Sequence, residues 1–211
     1  MLATRASYGL PDDAFVFCAF NNAFKITPDI FALWMRLLQQ VGNSVLWIYA
    51  PDADTQANLA REALAHGVEP GKLVFAGHEE QSKDIQRYAL ADLFVDTLYY
   101  NAHTTCSDAL WAGLPVVTCA GQTFASRVAG SILYAAGLPE LVTTSLDEYE
   151  ALVLKLARDK ALLTGIRRKL AGSIATSALF DSKAFCGNLE EAYGRMVKMH
   201  LEGQAPQHFD L

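Results

Sequence analysis

The chain has 211 residues, 52% hydrophobic and 19% charged, enough for one domain with a buried core and without a signature of disorder. Its 17 basic and 23 acidic residues leave a net charge of -6, so no basic excess is present for nonspecific binding to nucleic acid or to an anionic membrane. A local phosphate site needs only one or two cations and is compatible with that balance.

Strands and helices alternate along the chain. Residues 1–10 include Arg5 and Gly9 and have no continuous apolar stretch, which argues against a signal peptide. Ala14–Phe20 is a short apolar run suited to a strand buried on both faces. Pro28 opens a helix in which Ile30, Phe31, Trp34, Leu37, Leu38 and Val41 recur at helical spacing, until Gly42-Asn43 stops it. A strand at Ser44–Ala50, a helix near Thr55–His66 with a turn at Gly67, and a strand at Lys72–Ala76 follow. A helix is expected from about Ser82 to Leu90, and strands at Leu93–Thr97 and Pro115–Cys119. The helix between those strands reads as Ser107–Ala112, closed by Gly113 and Pro115. Ala125–Ala136 reads as a further helix and Leu141–Thr143 as an edge strand. The remainder is helical: Asp147–Arg158, Lys160–Ala171 and a long terminal helix at Ser182–Met199, before a flexible tail at 203–211. Such repeated strand-helix units predict an α/β fold, a doubly wound and mostly parallel sheet with right-handed crossovers and its ligand at the carboxyl ends of the strands.

The uncharged window Ala109–Ser126 is broken by Gly113, Pro115 and Gly121, which is incompatible with a membrane span. Cys18, Cys106, Cys119 and Cys186 form no C-x-x-C pair, so free, mostly buried thiols in a cytoplasmic protein are expected. No dinucleotide G-x-G-x-x-G, no phosphate loop G-x-x-x-x-G-K-[ST], no G-x-S-x-G elbow and no metal-ligand spacing occur. The expected site therefore needs neither a metal nor another cofactor.

The run from Asn101 to Pro115 carries the most chemistry. It sets small polar donors where a strand gives way to a helix, and a helix start favours phosphate through its unpaired N–H groups and partial positive charge. Thr104 and Thr105 add hydroxyls, His103 adds a ring donor, and Asp108, a turn further on, can accept from a sugar hydroxyl. The pattern suits a diphosphate with a ribose attached.

This segment, "YNAHTTCSDALWAGLPVVT", resembles the C-terminal half of the O-GlcNAc transferase/SPINDLY-type glycosyltransferases. Three further stretches resemble it in order: "FNNAFKITP" at Phe20–Pro28, "NSVLWI" at Asn43–Ile48 and "GQTFASRVAGS" at Gly121–Ser131. The resemblance runs from about Tyr8 to about Val197. It implies one Rossmann-like domain of a two-domain GT-B enzyme, spanning residues 13–202, with 1–12 as an interdomain junction. It also implies a donor, UDP-GlcNAc above all, and a protein acceptor glycosylated on serine or threonine. Part of the acceptor site, with helical repeats before it, would lie in an N-terminal half that this chain lacks, leaving the chain inactive alone.

Residue by residue, the resemblance assigns Lys25 to the donor diphosphate, where it would stabilise the leaving group, and Asn22 to phosphate or sugar. Arg87 matches the uracil-side helix, His103, Thr104 and Thr105 lie beside the diphosphate, and Asp108 matches the ribose acid. Asn21 is read as shaping its loop. The pattern differs at Gln81, Asp84 and Gln122, where the family has lysine in some members, histidine usually and glutamate in "PGET". Those differences motivate the alternative, a noncatalytic nucleotide-binding or protein-interaction module. On the terminal helix, Phe185, Leu189, Tyr193 and Val197 form an apolar stripe that can lack part of its packing surface and drive homodimerisation.

Overall fold

The computed structural model describes residues 3–210. Six strands form one parallel sheet: β1 (Phe15–Ala19), β2 (Ser44–Tyr49), β3 (Leu73–Ala76), β4 (Leu93–Val95), β5 (Val116–Cys119) and β6 (Val142–Thr143), in the spatial order β3-β2-β1-β4-β5-β6. The order reverses between β1 and β4. At such a switch point the two flanking connections leave in opposite directions and open a crevice above the strand ends.

The helices are α1 (Pro28–Gln40), α2 (Ala53–Ala65), α3 (Gln81–Tyr88), α4 (Thr104–Trp111), α5 (Val128–Ala135), α6 (Leu146–Arg158), α7 (Lys160–Ser173) and α8 (Ser182–Leu201). On one side α1 packs on α6, and on the other α3 packs on α4 and α4 on α5. That division into two helix layers is what right-handed crossovers on either side of the switch point produce. Between the layers Phe17, Trp34, Trp47, Phe94 and Tyr149 are fully buried. The near-continuous burial of β1, β2 and β4 reflects helices covering both faces.

Several boundaries differ from those read in the sequence. The helix expected at Ser107 begins at Thr104, with His103 as an N-cap that makes no side-chain capping bond. The expected helix Ala125–Ala136 is a 3-10 turn at Phe124–Ser126, capped reciprocally by Thr123 and Ser126, followed by α5. The strand read as Leu93–Thr97 ends at Val95, because Asp96 and Thr97 turn their backbone and side chains into a polar network. Of the thiols, Cys18 and Cys106 are buried and Cys119 half-buried, but Cys186 is exposed on α8.

Residues before β1 pack on the domain. Arg5 donates to the Asp92 carboxylate at 2.8 Å, Tyr8 lies against Trp47, and Leu10 is in the core. After Gly203 the tail lies along α8, where Arg195 donates to the Asp210 carbonyl and stacks over Phe209. Phe185, Leu189, Tyr193 and Val197 are exposed as the stripe predicts, joined by Met196 and Leu201. Among the described residues no helix is long and apolar enough to cross a membrane.

Candidate functional site

Three chain segments meet above the switch point. The first follows β1, where Asn21 is buried, Asn22 precedes a 3-10 turn at Ala23–Lys25 and Lys25 ends it. The second is the loop from Asp96 to Ala102 after β4, and the third is the start of α4.

The centre of this meeting is Asp96, which is fully buried. Its Oδ1 accepts from the Thr97 amide (2.8 Å), the Ala102 amide (2.7 Å) and Asn21 Nδ2 (3.0 Å), while Oδ2 accepts from the Thr118 hydroxyl at 2.7 Å. Burial pushes the Asp96 carboxyl up to about 6, against the hydrogen bonds from Thr118, Ala102, Thr97 and Asn21 that favour its ionised form. Asn21 also donates to the Thr97 hydroxyl at 2.9 Å and accepts from the Thr105 hydroxyl at 3.1 Å. Asn101 completes the frame by donating to the Thr97 and Leu98 carbonyls. A loop this densely bonded presents α4 in one orientation.

The Thr104 and Thr105 amides are the first of α4, and the helix ladder begins only with Cys106 and Ser107, both bonded to the His103 carbonyl. Two donors thus point out of the helix end, where anions are favoured. Thr104 is exposed and Thr105 half-buried. At the other end Gly113, at φ 82°, terminates α4 in the left-handed conformation that glycine adopts without a Cβ penalty.

Lys25 reaches this region from the β1 side. Its Nζ donates to the Asn101 carbonyl at 3.0 Å and sits 3.9 Å from the centroid of the Tyr100 ring. Burial pushes its pKa down, and the nearby Asp96 carboxylate opposes that shift. An anion at the α4 start would give this ammonium a charged partner in place of a carbonyl. His103 packs between Tyr100 and Phe124, with Nε2 3.3 Å from the Ala125 carbonyl. The Gly121–Ser126 turn that carries Phe124 requires glycine, since a Cβ at Gly121 would lie 2.4 Å from Ser126 Oγ. Phe24, Tyr99, Tyr100 and Phe124 are exposed, giving the mouth of the site an aromatic rim.

Beside the α4 start lies a cleft of about 360 Å³, lined in part by Phe20, Asn22, Gln81, Asp84, Arg87 and Thr105. Arg87 is only 2% exposed: it donates to the Gly77 carbonyl at 2.9 Å, pairs with Asp84 and stacks over Phe20. It is a wall of the cleft, braced from three directions. Asp108 sits half-buried on α4, its carboxyl pushed up by burial and by the Asp84 carboxylate. The structure therefore brings Asn22, Arg87 and Thr105 onto the cleft, and sets Lys25, His103 and Thr104 around the start of α4, outside its lining. Asp108 does not line the cleft but faces the same side. Among the described residues no group of three or more histidine, cysteine, aspartate or glutamate side chains is arranged to hold a metal ion.

Sequence reasoning missed Asp96 and the extent of the Asn21 network. The signal was an aspartate ending the apolar run Leu93-Phe94-Val95, a position where an unpaired carboxylate would be too costly to bury.

Comparison with known proteins gives one consistent answer. The profile of glycosyl transferase family 41 matches residues 1–189. The chain is 40% identical over 206 residues to the probable UDP-N-acetylglucosamine--peptide N-acetylglucosaminyltransferase SEC of Arabidopsis thaliana, covering 97% of this chain and 21% of that protein. It is 37% identical to the Caenorhabditis elegans UDP-N-acetylglucosamine--peptide N-acetylglucosaminyltransferase, covering 99% of this chain and 18% of that one. Among solved structures, an O-GlcNAc transferase mutant from Thermobaculum terrenum superposes with a TM-score of 0.82 at 32% identity, over 88% of this chain and 38% of that chain. The C-terminal domain of a group 1 glycosyltransferase from Francisella tularensis shares the fold at a TM-score of 0.59 and 14% identity. The chain spans about a fifth of the length of these curated relatives.

Proposed function

The chain belongs to glycosyl transferase family 41, and from that premise we propose that it is the donor-holding half of a protein O-glycosyltransferase. Its donor in this reading is a UDP-sugar, UDP-GlcNAc first, and its acceptor a serine or threonine hydroxyl of a protein. The observation that carries the reading is the convergence of Lys25 and the free amide end of α4 at the switch point, with a cleft beside them. The diphosphate takes the α4 end and Lys25, the nucleoside takes the cleft toward Asp84 and Arg87, and Asp108 serves the ribose. Residence in the cytoplasm belongs to the same proposal.

In the reaction an acceptor hydroxyl oxygen bonds to the anomeric carbon as the bond from that carbon to the diphosphate oxygen breaks. Negative charge gathers on the departing diphosphate, and fixed donors at that place lower the barrier. The Lys25 ammonium and the Thr104 and Thr105 amides and hydroxyls are such donors here. The base that takes the hydroxyl proton belongs, in this reading, to the remaining part of the enzyme, as does part of the acceptor site. The α8 stripe is the surface offered to that part. Self-association of the 211-residue chain through the same stripe is the competing expectation.

The test is calorimetric titration with UDP, UDP-GlcNAc and GDP. UDP is expected to bind, and Lys25→Ala is expected to weaken it by about 1.5–3 kcal/mol, the size of a charge-assisted contact. Unchanged UDP affinity in that variant would place the diphosphate elsewhere. The second reading, a noncatalytic module, draws on the Asp84–Arg87 pair, in which each charge already has an opposite partner within the cleft. Absence of binding by every nucleotide tested would favour it.

A further inference from the structure

The Asn21 side chain is 2% exposed and lies beneath the diphosphate end without lining the cleft. Its amide joins three segments at once: Nδ2 to Asp96 Oδ1 and Thr97 Oγ1 after β4, Oδ1 to the Thr105 hydroxyl on α4, and its own backbone to the Lys25 turn after β1. Both amide ends are needed, since one set of partners requires a donor and the other an acceptor. Aspartate has the same shape and keeps the acceptor, but turns the donor into a second carboxylate oxygen facing Asp96.

We propose that Asn21 is a positioning residue of the donor site: its hydrogen bond to Asp96 sets Lys25 and the α4 start in the spacing that a diphosphate requires. The inference rests on the donor reading above and extends it to a residue that touches no ligand. Asp96 Oδ1 also holds the Ala102 amide, two residues before Thr104, so a displacement at the Asn21 contact carries directly into the start of α4. On the opposite side, Asn21 is the tie from the β1 end to Asp96 and Thr97, while Lys25 reaches the far end of the same loop at the Asn101 carbonyl.

The proton on this contact supplies the test. In Asn21→Asp, two carboxyl groups face each other about 3 Å apart and cannot both ionise without repulsion, whereas one shared proton restores a donor between them. Other titratable groups acting on Asp96 are Lys25, Cys106 and Tyr149, and His103 packs nearby on Tyr100; all are present in the wild type and are controlled by measuring it in parallel. UDP affinity of wild type and Asn21→Asp is measured at about pH 8 and about pH 5.5, with near-ultraviolet circular dichroism to establish that each is folded. The variant is expected to bind roughly ten-fold or more weakly at the higher pH and within roughly three-fold of wild type at the lower. Wild-type affinity in the variant at both values, or an equal loss at both, overturns the proposal.

If Asn21→Asp does not fold at the higher pH, Asn21→Ser carries the test, being neutral throughout and too short to reach both sets of partners. It is expected to weaken UDP roughly five-fold at both values, and unchanged affinity overturns the proposal. A wild-type chain that binds no UDP at either pH is the distinct result that removes the donor reading itself, and the inference with it.

Discussion

Asp96→Ala is expected to remove about 3–5 kcal/mol of folding stability, seen as a large fall in the denaturation midpoint. The substitution strands the Thr97 and Ala102 amides, one N–H of the Asn21 side chain and the Thr118 hydroxyl, all within a buried region. Each unsatisfied donor costs about 1–3 kcal/mol, and water entering the vacated space offsets part of the sum. Asp96→Asn keeps the shape and most of the partners, and separates charge from geometry. The Asp96 carboxyl, about 6 in the fold, lies above its usual unfolded value near 3.9, so the fold binds the proton more tightly. Its contribution is fully present below the unfolded value and is lost as pH rises through about 6, amounting to about 3 kcal/mol. Urea melts between about pH 4 and pH 7 should show that decline in the wild type and lack it in Asp96→Asn. Parallel pH profiles in the two proteins would mean that Asp96 titrates normally.

The second large effect concerns turnover. The 211-residue chain alone is expected to transfer no measurable sugar to a peptide, even where titration detects donor binding. Holding both reactants in register can account for roughly 7–11 kcal/mol of a barrier. In the proposed reading, Lys25 and the α4 start supply only the donor side of that register. Tyr99, Tyr100, Phe24 and Phe124 lie exposed at the mouth, so the site is open to water where an acceptor would be positioned. Peptide glycosylation is to be measured for this chain alone and for the chain with the remaining length of a family relative supplied. Robust turnover by the chain alone would contradict the half-enzyme proposal and require a catalytic base among these residues.

Much of the fold was legible because its elements obey local rules. The continuous apolar runs in Phe15–Ala19 and, after Ser44, in Val45–Tyr49 match strands covered on both sides, and Pro28 marks the first turn of α1. The start of α4 was not legible, because His103 caps without a side-chain bond and the β-branched Thr104 and Thr105 read as residues before the helix. The buried setting of Arg87 was equally hidden, since the Gly77 carbonyl and the Phe20 ring reach it from other strands' ends. At the site, the donors at the α4 end followed from a helix-start pattern. Asn21 and Asp96, in contrast, acquire their roles only when chain segments 75 residues apart meet.

The strand order also fixes when that meeting happens. Partners on β1 and β2, such as Phe15 and Ser44, are 29 residues apart, and Phe94 and Val116 on β4 and β5 are 22 apart. The ladder between β1 and β4 joins residues 76 apart, as Phe17 and Leu93 do, and closing it costs about 1 kcal/mol more in loop entropy than either. Each trio of strands can therefore condense by itself, and the seam between them closes afterwards. Because the cleft straddles that seam, a ligand site there would be complete only after the last large step of folding. In pulse-labelled refolding, the Asp92 amide, bonded to the Val16 carbonyl across the seam, is expected to gain protection later than the Phe94 amide bonded to Pro115. A ligand present during refolding would then bind only a finished sheet, and would slow unfolding without speeding the collapse of either trio.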